Sequence, residues 1–241
     1  MNWEALIGVP TTLMMEGGSE SEAKAIPSIV DQIRKSGFQT IEIVPAQFHP
    51  LTERDAALFL ETTFGERERK KLREPLKPFQ VVTVHGSNIA IEVAECSAGR
   101  EEDPWRPYIE LMRFARDIGA RIVTFHKIRR QEKADLSDGE MAEYHIKFGK
   151  LAAGYAQEWN LIAGFELAND IKFFRENEII NRIGSERFGL LLDIGHIALQ
   201  FAESPGITDC VLEIIMHFMG RIIEFHAGGL KNIAPWIRTT F

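Results

Sequence analysis

Two cysteines in 241 residues are too few for a disulfide framework, and Cys96 and Cys210 lack the close spacing of a thiolate metal site. Both read as core thiols in a reducing compartment. No apolar run approaches the ~18 residues that a membrane span needs. The opening Met1-Asn2-Trp3-Glu4 lacks the basic-then-apolar pattern of a secretory signal. The expected location is therefore the cytoplasm, with no membrane partner. Positive charge is also short, since 28 Lys and Arg face 35 Asp and Glu. The resulting net charge of −7 disfavours a nucleic-acid partner. No low-complexity tract and no linker rich in Pro, Gly or Ser divides the chain, so residues 1–241 read as a single domain.

What the chain does have is alternation. β-prone apolar runs at Ala5–Val9, Phe38–Val44, Phe79–His85, Arg121–His126, Leu161–Glu166, Phe188–Asp193 and Ile222–His226 are separated by helical patterns. Ile26, Ile29, Val30 and Ile33 recur at helical spacing before Gly37. Tyr108, Leu111, Met112, Ala115 and Ile118 do the same before Gly119, a helix stop. Further helices are read from Glu53 through Glu66–Glu74, over Phe148–Trp159, over Ile171–Ile183 and over Ile207–Met219, six in all. Ile89–Ala94 is ambiguous, and Gln131–Glu140 is a polar loop suited to a lid. Seven strands with helical crossovers predict a parallel sheet in an α/β TIM (β/α)8-type barrel. Only fifteen residues follow His226, whereas a closing βαβ unit needs roughly 30. The barrel is therefore expected to be truncated or incomplete after its seventh strand, with Trp236–Phe241 supplying at most a stub.

The strand ends carry the chemistry. Four runs finish on metal-competent side chains, His85, His126, Asp193 and His226, and a weaker fifth finishes on Glu166. Side chains alternate along a strand. Thr83 therefore shares the interior with His85, Thr124 with His126, Gly164 with Glu166, Leu191 with Asp193, and Glu224 with His226. Packing alone would favour Val, Ile or Leu at such positions. Mixed carboxylate and imidazole donors at one mouth suit a divalent ion such as Zn²⁺ or Mn²⁺. Glu42, on the interior parity of its strand, and Lys127, beside His126, are candidates for holding a substrate. A turn at Gly195 would bring His196 back over the mouth near Asp193. His145 and His217 on helices, and His49 in a loop, read as surface or packing residues.

Several motifs resemble, in their order, the xylose isomerase-like superfamily of metal-dependent TIM barrels, which includes ketose epimerases and isomerases as well as endonuclease IV. They are Val81–His85 followed by Gly86–Ala94, the strand ending at His126, Glu166-Leu167-Ala168-Asn169, the Asp193-x-x-His196 turn and the His226 strand. The resemblance spans nearly the entire chain. It implies that Glu166 is both metal ligand and catalytic base, and that Asp193 and His226 are ligands. In the epimerase branch a glutamate from the eighth strand completes that shell, and this chain has no glutamate after His226. Positions like His85 and His126 bind a further zinc in endonuclease IV and face the substrate in sugar-handling relatives. The nuclease also has a later Asp-x-His pair that joins the match to His196 around a third zinc. Its absence here excludes a three-metal site.

The implied activity is a metal-dependent isomerase or epimerase of a sugar or sugar-like polyol or keto acid. A proton beside a carbonyl would be removed by Glu166 and the enediolate stabilised by the metal. His196 would orient a hydroxyl, while Glu42, His85 and Lys127 line the substrate pocket. The alternatives are an endonuclease IV-like zinc phosphodiesterase on abasic DNA and an inactive barrel that binds a metal or ligand. Whether the chain forms a homo-oligomer is left open.

Overall fold

The structure is a computed structural model that describes residues 8–10, 20–45, 64–86, 105–127, 137–167, 173–200 and 206–226. Strands and helices alternate as β1 (Gly8–Pro10), α1 (Glu20–Lys35), β2 (Thr40–Ile43), α2 (Glu66–Leu76), β3 (Val81–Gly86), α3 (Arg106–Ile118) and β4 (Ile122–Phe125). They continue as α4 (Asp138–Trp159), β5 (Ile162–Leu167), α5 (Phe173–Ile183), β6 (Phe188–Asp193), α6 (Ile194–Gln200), α7 (Ile207–Phe218) and β7 (Ile222–His226). All seven strands are parallel and lie side by side in chain order.

The sheet curls far enough for its second and seventh strands to touch. Glu42 on β2 and His226 on β7 are hydrogen-bonded at 2.7 Å although five strand places separate them. This is the curvature of a barrel wall, as the alternation of strands and helices predicts.

Local signals account for the element ends. Gly119 closes α3 in the left-handed region at φ 82°, and Asn160 closes α4 in the same way at φ 55°. Ser137 opens α4 with a capping box completed by Glu140, so the expected loop over Gln131–Glu140 has already become helix by Asp138. Outward-facing strand residues such as Val82, Val84, Val123, Phe125, Ala163 and Phe165 are buried beneath the helices. There Tyr108, Phe125, Phe148 and Phe165 form a chain of ring contacts joining α3 and α4 to β4 and β5. His145 packs edge-on against Phe165, and His217 is exposed on α7 beside Phe218.

One helix departs from the sequence reading. A turn was expected at Gly195, but the described residues hold seven helices instead of six, because α6 begins directly after Asp193. The Asp193 carboxylate accepts from the backbone N–H of His196 at 2.8 Å, so it caps a helix where glycine was read as a break. Residues 5–7, 53–63, 89–94, 131–136 and 236–241, and also His49, Cys96, Ala168 and Asn169, lie outside the described residues. No helix among the described residues is long and apolar enough to cross a membrane.

Candidate metal centre

Six strands, β2 to β7, deliver an alternating series of acids and imidazoles to the carboxyl-terminal mouth of the sheet. Glu166 at the end of β5 places one oxygen, Oε2, 2.6 Å from His126 Nε2 and 3.2 Å from His85 Nε2. The other nitrogen of His85 faces Glu42 Oε2 at 3.8 Å. That same Glu42 oxygen accepts from His226 Nε2 at 2.7 Å. The second nitrogen of His226 lies 3.9 Å from Asp193 Oδ2, and His196 Nε2 is 3.8 Å from that oxygen. The structure thus brings together Glu42, His85, His126, Glu166, Asp193, His196 and His226. Glu42, His85 and Glu166 are buried, while His196 is about half exposed at the rim.

Lys127 is placed differently. Its ammonium is paired with Glu176 of α5 at 2.5 Å, which engages its charge within the wall of the barrel. Glu176 was not singled out from the sequence, and nothing in its helical surroundings marks it.

Beneath this series lies a second interior layer that is unusually polar. The hydroxyls of Thr83 and Thr124 and one oxygen of Glu224 are buried without a hydrogen-bond partner within 3.5 Å. Glu224 reaches this layer because it lies two places before His226, and β7 is irregular just ahead of it: Leu190 pairs with Ile222 but Leu191 pairs with Glu224. Ile223 is skipped, and its side chain lies over Gly164 and Gly189 on β5 and β6. The bulge therefore turns Ile223 inward beside Glu224.

Electrostatics follow from this packing. Burial alone would raise the carboxyl of Glu166, but hydrogen bonds from His126 and His85 outweigh it and hold the group well below the ordinary carboxylate range. Glu224 is pushed up to about 7 by burial and by the neighbouring charge of Glu42. Burial would lower the imidazolium of His226, yet its hydrogen bond to Glu42 and the charge of that carboxylate hold it up at about 9.

A group raised on folding stabilises the native state below its unfolded value and ceases to do so above its folded one. The His226 contribution in the metal-free chain is therefore complete below about pH 6.5 and gone above about pH 9. Urea unfolding across that interval should show roughly 2–3 kcal/mol of lost stability. The loss should be largely missing from His226→Gln. A variant with the same pH dependence as the parent would show that His226 does not carry it.

Donor atoms of three overlapping sets lie within 4.8 Å of one another: Glu166–Asp193–His226, His85–His126–Glu166 and Glu42–His85–His226. Zinc takes nitrogen and oxygen ligands at about 2.0–2.2 Å, so small side-chain adjustments bring such a set around one ion. The residues therefore fit a divalent transition metal.

The wall of parallel strands is that of a barrel, and comparison with known families agrees on the fold. The model of the xylose isomerase-like TIM barrel family matches residues 30–229, and the chain belongs to that family. Among solved structures, it resembles D-psicose 3-epimerase from Clostridium cellulolyticum H10, solved with D-tagatose, at a TM-score of 0.65 and 13% identity. That match covers 95% of this chain and 77% of the epimerase. It also resembles the apo form of 3-keto-D-glucoside 4-epimerase from E. coli, at a TM-score of 0.58 and 11% identity, over 89% of this chain and 82% of that one. An L-ribulose 3-epimerase matches at a TM-score of 0.55 and 12% identity, over 98% of this chain and 86% of its own. At such identities the likeness establishes the fold. No curated protein sequence matches the chain.

Proposed function

We propose that this chain is a metal-dependent isomerase or epimerase of a sugar or sugar-like polyol or keto acid. The observation that carries the reading is the convergence of Glu166, Asp193 and His226 at one mouth of a barrel whose structural relatives are sugar epimerases. These three residues would hold a zinc or manganese ion. When bound, such an ion polarises a substrate carbonyl and its neighbouring hydroxyl, and so favours loss of the adjacent proton.

The rest falls to the chain's own side chains. Glu166 is the proposed base, ionised and held between two imidazoles. His196, half exposed on α6 and turned toward Asp193, is placed to orient a substrate hydroxyl at the rim. His85 and His126 line the mouth. Epimerisation also needs an acid or base on the opposite face of the carbon, and the candidate is Glu224, an interior carboxyl with one oxygen buried and unpaired. Lys127 would contribute to substrate binding only by leaving Glu176.

Similar D-psicose 3-epimerases were solved with D-fructose and with D-tagatose, and these two sugars make suitable first probes. The manganese- or zinc-loaded chain, incubated with a panel of ketohexoses in D₂O, should exchange the proton beside the carbonyl and accumulate the epimer or isomer. NMR reads both. No exchange on any sugar of the panel, with the metal shown to be bound, would count against the reading.

A second reading draws support from the His85–His126–Glu166 set, a further group of donors sharing Glu166. Clustered ions of this kind serve phosphodiester cleavage. A zinc phosphodiesterase on abasic DNA would bind abasic duplex with a steep salt dependence. Absence of binding at low salt removes it.

A further inference from the structure

We propose that Glu42 is a positioning residue that sets two imidazoles at once, leaving His226 to meet a cation through Nδ1 and His85 through Nε2. The inference rests on the metal site proposed above. Its basis is the placement of a single oxygen. Glu42 Oε2 lies 2.7 Å from His226 Nε2 and 3.8 Å from His85 Nδ1, while the opposite nitrogens of both rings face the other carboxylates. His226 Nδ1 is turned to Asp193, and His85 Nε2 to Glu166.

A neutral imidazole has one N–H and one lone pair, so the nitrogen that donates to a carboxylate is not the one that coordinates. Whichever nitrogen Glu42 engages, it therefore selects the other for the ion. A carboxylate on the far nitrogen also raises the ring's basicity as a ligand and fixes its orientation.

The alternative is direct coordination by Glu42, within its own set with His85 and His226. Distance argues otherwise. Two ligand atoms held at about 2.1 Å from one ion sit roughly 3.0–3.4 Å apart, from octahedral to tetrahedral geometry. The 2.7 Å between Glu42 and His226 is instead a hydrogen-bond length. The 3.9 Å between His226 Nδ1 and Asp193 Oδ2 leaves room for an ion between them. Glu42 is also buried on β2, between Ile41 and Ile43, both buried beneath the helices, so its backbone is firmly held. Its ion pairs among the described residues are to these two imidazoles, where an ordinary buried carboxylate would be expected to meet a Lys or Arg.

The test is zinc binding to the full chain and to Glu42→Gln, by chelator competition, together with long-range ¹⁵N–¹H NMR of the histidines. Glu42→Gln should bind the same number of zinc ions some 10–100-fold more weakly. The zinc-loaded wild type should show His226 protonated at Nε2 and bound at Nδ1, and Glu42→Gln should show a mixture of the two nitrogens. Equal affinity in the two chains overturns the inference, as does one fewer zinc in the variant, which would make Glu42 itself a ligand. Zinc on Nε2 of His226 in the wild type also overturns it, and that result stands even if the variant fails to fold. A wild type that takes up no zinc overturns the metal-site reading first, and the two failures are told apart by that measurement.

Discussion

Glu166→Gln should abolish the exchange of substrate protons with solvent, by at least about 10²-fold and up to about 10⁴-fold, even when zinc or manganese is supplied at saturation. The amide keeps the size and shape of the side chain but carries no charge and accepts no proton. It also deprives His126 and His85 of the carboxylate oxygen they share at 2.6 and 3.2 Å. Metal affinity should therefore fall as well, and the two losses are separable. Raising the metal concentration restores occupancy without restoring exchange if Glu166 is the base. Exchange at the wild-type rate in the saturated variant would leave Glu166 a ligand at most. Exchange recovered in proportion to occupancy would assign it to metal binding alone. The measurement is loss of the sugar C–H signal in D₂O, followed at several metal concentrations.

The rim of this site was readable because period-two alternation links each strand-end residue to the one two places earlier. His85, His126, Glu166, Asp193 and His226 follow from that count, and so does the polar layer of Thr83, Thr124 and Glu224 beneath them. What could not be read is which of them meet. Glu42 and His226 are 184 residues apart, and their hydrogen bond exists only because the sheet curls. Lys127 looked free beside His126, but its partner Glu176 lies 49 residues further on and on a helix. The Asp193-x-x-His196 spacing is also that of a helix cap and the third residue after it. Gly195 drew the reading toward a turn, although glycine costs a helix only about 1 kcal/mol, which a capped and packed helix can offset. The bulge on β7 leaves no mark in sequence, because Ile222 and Ile223 are equally apolar and neither announces which faces inward.

That bulge leads to the expectation of a large loss on replacing Gly189 by Ala. A Cβ at Gly189 would sit 2.5 Å from the carbonyl oxygen of Arg221 and 2.5 Å from Cγ2 of Ile223. A flexible side chain can withdraw from such a contact, but a backbone oxygen moves only with its chain, and Arg221 leads directly into β7. Strand β7 would have to shift away from β6, at a cost of about 1–3 kcal/mol or more for overpacking. In a chain of this size each kcal/mol lowers the unfolding midpoint by roughly 2–4 °C. The same shift would draw His226 away from Asp193, its register partner on β6, so zinc affinity should fall together with stability. Adding Ile223→Ala removes the side-chain clash and leaves the one with Arg221, so the double variant should recover stability only in part. Full recovery would show that the side chain alone sets the spacing. An unchanged midpoint in Gly189→Ala would mean that β7 is free to move, and that the grip of Asp193 and His226 on an ion does not depend on the bulge.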